Sequence, residues 1–159
     1  MAPVSRLEIM IGRTLGGATV AFIQGVLVFL ITLVIGFRPV SIMGFFAALI
    51  FMFLTAILFT ALGTAIASRM QDMQAFPIIM NFVVMPLFFL SGSLFPLQGL
   101  PASILLVARL DPLSYGIDGI RGALTGMYRF GFGADILILM AITSLLLAIG
   151  TYLFSKIEI

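Results

Sequence analysis

The chain has 159 residues, 62% of them hydrophobic and 9% charged, with a formal net charge of +2. Soluble domains carry about 25% charged residues, so a water-soluble fold of this size would lack the polar groups to cover its surface. The absence of cysteine and histidine excludes a disulfide framework, a thiol nucleophile and the commonest general base and metal ligand; eight dispersed basic groups do not make a nucleic-acid footprint.

Charges leave four silent stretches: Thr14 to Phe37, Pro39 to Ser68, Met73 to Ala108 and Ile136 to Ser155. A helix needs about 20 mostly apolar residues to cross about 30 Å of hydrocarbon, so each stretch suffices for one span. Backbone groups in lipid have no water to bond, which makes the segments helical. The alternating ten-residue segments of a transmembrane β-barrel are absent. The expected fold is therefore an all-α integral membrane protein. It has four transmembrane helices, with a re-entrant or interfacial helical hairpin before the last.

The first span is predicted at 15–35 and ends at Gly36-Phe37-Arg38-Pro39, because proline biases its predecessor away from helix. It is too long for a signal-peptide core and lacks a small-residue cleavage site, so it is read as retained. The second span is predicted at 42–67, followed by a polar turn from Arg69 to Asp72. The third, at 74–90, contains Pro77 and Pro86; each removes a backbone donor and can kink the helix. The fourth is predicted at 134–154. Gly17, Ala21 and Gly25 recur at four-residue spacing, as do Gly12 and Gly16, and Thr60, Thr64 and Ser68. Such stripes let helices approach closely, although glycine is common in membrane helices for other reasons too.

Residues 91–133 are apolar but broken by Pro96, Pro101 and Pro112. A short helix is expected from Leu100-Pro101 through Arg109. A second starts with Asp111 as cap and Pro112 as its first residue. From there Leu113, Ile117, Ile120 and Leu124 share one face, and Ser114, Asp118, Arg121 and Thr125 the other. Asp118 and Arg121 are placed to pair at i, i+3. Two helices this short cannot span, so a re-entrant hairpin is expected, with an extramembrane helix packed on the bundle as the other reading.

Four spans put both termini on one side. That side then holds Arg6, Arg13, Arg69 and Lys156, and the other Arg38, Arg109, Arg121 and Arg129. The positive-inside rule gives a tie. Gln24 and Asn81 are polar groups within spans and candidates for a substrate path; bonding between helices is the commoner role for such groups. No charge lies mid-span, which argues against an ion-coupled carrier.

Three segments resemble type-2 ATP-binding-cassette exporter permeases. Ala2 to Arg13 (APVSRLEIMIGR) is similar to that family's cytoplasmic segment between its second and third spans. Phe88 to Pro101 (FFLSGSLFPLQGLP) resembles its stretch at the outer end of the fifth span. Asp111 to Gly122 (DPLSYGIDGIRG) resembles the second half of its external re-entrant hairpin. The resemblance implies spans three to six of a six-span subunit, with the first two spans absent from this chain.

It also implies a multi-pass protein of the plasma (inner) membrane with cytoplasmic termini and an external hairpin. Its partners would be an ATPase subunit and a second permease subunit, homo- or heterodimeric, amid membrane lipids. On the resemblance, the cytoplasmic coupling segment is 3–13, with Val4, Ser5, Arg6, Leu7 and Glu8 in the contact region with the ATPase. The hairpin residues are Phe95, Pro96, Pro101, Asp111, Pro112, Tyr115, Asp118 and Arg121. The chain has no G-x-x-x-x-G-K loop, so no cofactor is expected on it, and ATP would be used by the partner. The expected function is export of amphipathic or lipid-like substrates such as a drug, a lipid or a lipid-linked sugar. A non-transporting scaffold or inactive truncated permease is the alternative. A membrane enzyme would rest on Asp111, Asp118 and Arg121 alone.

Overall fold

The computed structural model describes residues 6–72, 74–94 and 101–155, with backbone only at 6, 154 and 155. Six helices follow in chain order: α1 Arg6–Ile35, α2 Ile42–Ala67, α3 Phe76–Leu90, α4 Ala102–Leu110, α5 Pro112–Thr125 and α6 Phe132–Ser155. No strand occurs among the described residues. Three of the helices, α1, α2 and α6, are long and apolar enough to cross a membrane.

The expected third full span is, in its helical part, shorter than a bilayer. α3 has 15 residues and reaches about 22 Å, against about 30 Å of hydrocarbon. Its two prolines differ in effect. Pro77 sits in the first turn, where no helical bond is lost. Only Pro86 lies inside the helix and removes one.

α1 runs unbroken from Arg6, so residues 6–13 continue directly into the span helix. Its other end is set at Gly36, whose φ of +113° is left-handed backbone that glycine adopts at no steric cost. The break thus falls three residues before Pro39 and owes more to the glycine.

α2 is apolar on all sides and becomes the central helix, packed on α1, α5 and α6. Ala48, Phe51, Leu58 and Ala61 on it are fully buried. α1 lies antiparallel to it. Phe22 meets Phe53 edge-on at 5.4 Å, and Phe29 meets Phe45 at 5.5 Å. Gly17 faces Thr60 and Gly25 faces Met52, so closely that a methyl on either would collide. The four-residue spacing of Gly17 and Gly25 is therefore a helix seam, whereas Gly12 and Gly16 face open space.

α6 runs parallel to α2. Phe132 meets Phe51 edge-on at 5.4 Å at one end. At the other, Gly150 lies against Met10 and Ala65. Met10 is fully buried there, so the first turns of α1 are part of the bundle.

The outside of this bundle is apolar. Val34 is 87% exposed, Ile42 81% and Phe82 82%, and such side chains recur along α1, α2, α3 and α6. A surface of this extent cannot face water in a stable monomer. It marks a multi-pass membrane protein.

Candidate functional site

The hairpin before α6 is built as its residues dictate. Asp111 has an extended backbone and its carboxylate accepts the Leu113 N–H at 2.8 Å, capping α5. Pro112 follows in the first turn. The Tyr115 hydroxyl donates to the Arg109 carbonyl at 2.7 Å, tying α5 back to the end of α4.

α2 serves as a ruler for the depth of α5. Ala123 lies on Gly44, Gly119 on Phe51 and Gly116 on Thr55, so the two helices are antiparallel. The Val40 N–H also donates to the Leu124 carbonyl at 3.0 Å, which sets the end of α5 level with the α1–α2 loop. Thr55 is midway along α2. The α4–α5 joint therefore reaches about half the length of α2.

The face that α5 buries is not the large apolar one. Ser114, Tyr115, Gly116, Asp118, Gly119, Gly122 and Ala123 are buried, while Leu113, Ile117, Ile120 and Leu124 are only half-buried. In lipid the pull toward the interior is reversed. Leucine and isoleucine lose nothing by facing acyl chains, and small residues allow close helix packing. Polar groups turn inward, where protein can satisfy them.

The expected Asp118–Arg121 pair does not form. Both Asp118 oxygens accept the Arg129 N–H, at 3.0 and 2.8 Å, and Oδ2 also accepts the Phe130 N–H at 2.8 Å. A carboxylate on backbone donors fixes the α5–α6 loop under the hairpin, with Phe130 against the Tyr115 ring at 4.7 Å. Arg121 instead donates to the Gly92 carbonyl at 2.8 Å, joining α5 to the exit of α3. These partners lie 11 to 29 residues away, beyond the reach of a local i, i+3 rule.

One residue was missed by the sequence reading. Asp135, in the first turn of α6, is fully buried, and neither carboxyl oxygen has a hydrogen-bond partner among the described residues. The signal was available as an acidic residue in the opening turn of an apolar span, where the helix dipole favours it. Burial, with the carboxylates of Asp135 and Asp118 adding to it, pushes the nearby Tyr128 hydroxyl up, so it stays neutral.

Between α5, the exit of α3 and the α5–α6 loop is a cavity of about 320 Å³, lined in part by Ser91, Ser114, Asp118, Arg121, Tyr128 and Arg129. Of the remaining expected site residues, Pro101 is exposed and precedes α4. Leu7 and Glu8 are exposed in the first turn of α1, and Arg6 begins that helix. Val4, Ser5, Phe95 and Pro96 lie outside the described residues. Gln24 and Asn81 are both exposed, on α1 and α3, with no hydrogen bond among the described residues.

A helical bundle with three long apolar helices, and a pair of short helices of which α5 packs on α2 and α6, defines the class: a polytopic membrane protein. The family model for ABC-2 type transporters matches residues 1–125, and the chain belongs to that family. It is also 35% identical over 66 residues to "Nodulation protein J" of Rhizobium leguminosarum bv. trifolii. That match covers 42% of this chain and 25% of the relative, so the chain spans about a quarter of the curated relative it matches. No solved structure matches the chain.

Proposed function

We propose that the chain is a membrane-spanning permease subunit of an ATP-driven exporter in the inner membrane. The observation that carries this reading is the embedded hairpin. Its carboxylate latch and arginine tie make a rigid lid at the end of the bundle where the α1–α2 loop lies. A unit of this kind can move as one body when helices rearrange. Membership in the ABC-2 type transporter family supports the same reading.

On this reading α3, with its flanking residues, completes a fourth crossing, both termini are cytoplasmic and the hairpin lies outside. The chain binds no cofactor and hydrolyses no ATP. A partner ATPase does so, and residues 4–8 transmit its movement to α1. Because α1 is continuous from Arg6 into the bundle and Met10 is buried on α2 and α6, a push at Glu8 reaches the core without a flexible joint. The exposed amides of Gln24 and Asn81 face a second permease subunit or a path at that interface. An apolar path suits amphipathic or lipid-like cargo.

The test is affinity purification of the tagged full chain from membranes of its own host in mild detergent. Recovery of an ATP-binding-cassette ATPase, reduced severalfold by Arg6→Ala with Glu8→Ala, is the expected result. Equal recovery with both substitutions would sink the coupling role, and recovery of no ATPase would sink the exporter reading.

A further inference from the structure

Two guanidinium groups line the cavity beside α5, and neither has a carboxylate partner among the described residues. The side chain of Arg121 has one hydrogen bond, to the Gly92 carbonyl at 2.8 Å. The guanidinium of Arg129 has one contact, 5.8 Å above the Phe130 ring. No salt bridge to either exists among the described residues. The carboxylate that shares the cavity, Asp118, is already occupied by the N–H groups of Arg129 and Phe130.

The depth of these groups sharpens the point. The Arg129 backbone is bonded to Asp118, next to Gly119, and Gly119 lies on Phe51 of α2. Phe51 is nine residues into α2 from Ile42, about 13 Å along the helix. Arg121 lies one turn below the level where Leu124 meets Val40. An arginine below the interface is costly unless it has a counter-charge or water. Both side chains are exposed at the cavity, where water or an entering anion can meet their charge.

We propose that this cavity binds a phosphate-class anion, held by the guanidinium groups of Arg121 and Arg129. The volume of about 320 Å³ exceeds what one phosphate fills and leaves room for a small attached group. Guanidinium pairs suit phosphate because their planar donor forks match its oxygens. Ser114 Oγ is buried at the cavity wall beside the Asp111 carboxyl. The phosphate can belong to an anionic lipid headgroup or to a soluble phosphate. Binding is read directly, so the inference stands or falls apart from the transport reading.

The experiment uses the purified full chain in a neutral detergent. One arm supplies dioleoyl phosphatidylglycerol and dioleoyl phosphatidylcholine in equal amounts and counts retained lipid by native mass spectrometry. The other titrates inorganic phosphate and follows its phosphorus resonance. The variants are Arg129→Gln, Arg121→Lys and, as a charge-matched control outside the cavity, Arg38→Gln. Retention of phosphatidylglycerol that falls about tenfold in Arg129→Gln, but not in Arg121→Lys or Arg38→Gln, supports the site with lipid as its source. Phosphate binding with the same variant pattern and no selective lipid supports it with a soluble source. Binding of neither probe, or equal losses in Arg129→Gln and Arg38→Gln, overturns it.

Discussion

Arg121 donates to the carbonyl of Gly92 at 2.8 Å, across 29 residues of sequence. This bond joins α5 to the exit of α3, a helix that otherwise packs lightly and buries no residue of its own. The junction is therefore sensitive to Arg121. Arg121→Ala should speed hydrogen exchange at the amides of Ser91 to Leu94 severalfold while leaving α2 unchanged. Because Arg121 is exposed, the loss in global stability should stay within roughly 1 kcal/mol. Exchange measured by mass spectrometry in micelles checks both parts. Unchanged exchange at those amides would show the bond to be incidental.

Asp118 should behave differently, because it is buried and holds two backbone amides at once. Asp118→Ala leaves the N–H groups of Arg129 and Phe130 without acceptors, at roughly 1–3 kcal/mol for an unsatisfied buried donor. Asp118→Asn keeps one carbonyl oxygen and should recover about half of the loss. Unfolding midpoints in detergent for the three proteins should rank wild type, then Asn, then Ala. Equal midpoints for Asn and Ala would mean that the amides find other acceptors.

How far the sequence reached depends on the range of each interaction. A helix start was legible where local chemistry sets it: Asp111 caps α5 with a side-chain bond to the N–H two residues on. The long apolar helices were legible from the silence of charge alone. The length of α3 was not, because an apolar stretch does not reveal where its helix stops. Nor was it legible which face of α5 turns inward. Periodicity shows that two faces exist, and only the identity of the solvent says which one is buried. The Asp118 and Arg121 partners were hidden because they come from other elements. Asp135 was overlooked because a single acid near the start of a span resembles an ordinary helix cap.

The small-residue face of α5 makes a further outcome predictable. Gly119 lies against the ring of Phe51, leaving no room for a side chain, and Phe51 is fully buried at the centre of the core. Gly119→Ala should cost roughly 1–3 kcal/mol through overpacking. Phe51→Leu, which shrinks the partner, should recover part of that loss when combined with it. A double-mutant cycle on detergent unfolding measures the coupling. Strict additivity would show that α5 and α2 do not meet at this pair.

Asp135 leads to the opposite sign. Its carboxyl is fully buried, meets no N–H or hydroxyl donor among the described residues and lies against the Asp118 carboxyl. Burial of a polar group without a partner opposes folding, and replacing a buried ionisable group with a neutral one of similar size is often neutral or stabilising. Asp135→Asn should therefore keep or raise the unfolding midpoint, by up to roughly 1–3 kcal/mol. Asp118→Ala, one contact away, should lower it. A stability gain joined to a loss of export would assign Asp135 a role in the working cycle, since functional sites often retain groups that cost stability. The measurement is thermal unfolding of both variants in the same detergent, followed by export in cells. A clear drop in midpoint for Asp135→Asn would mean that its carboxyl is held by a partner in the assembled protein, and the assignment would fail.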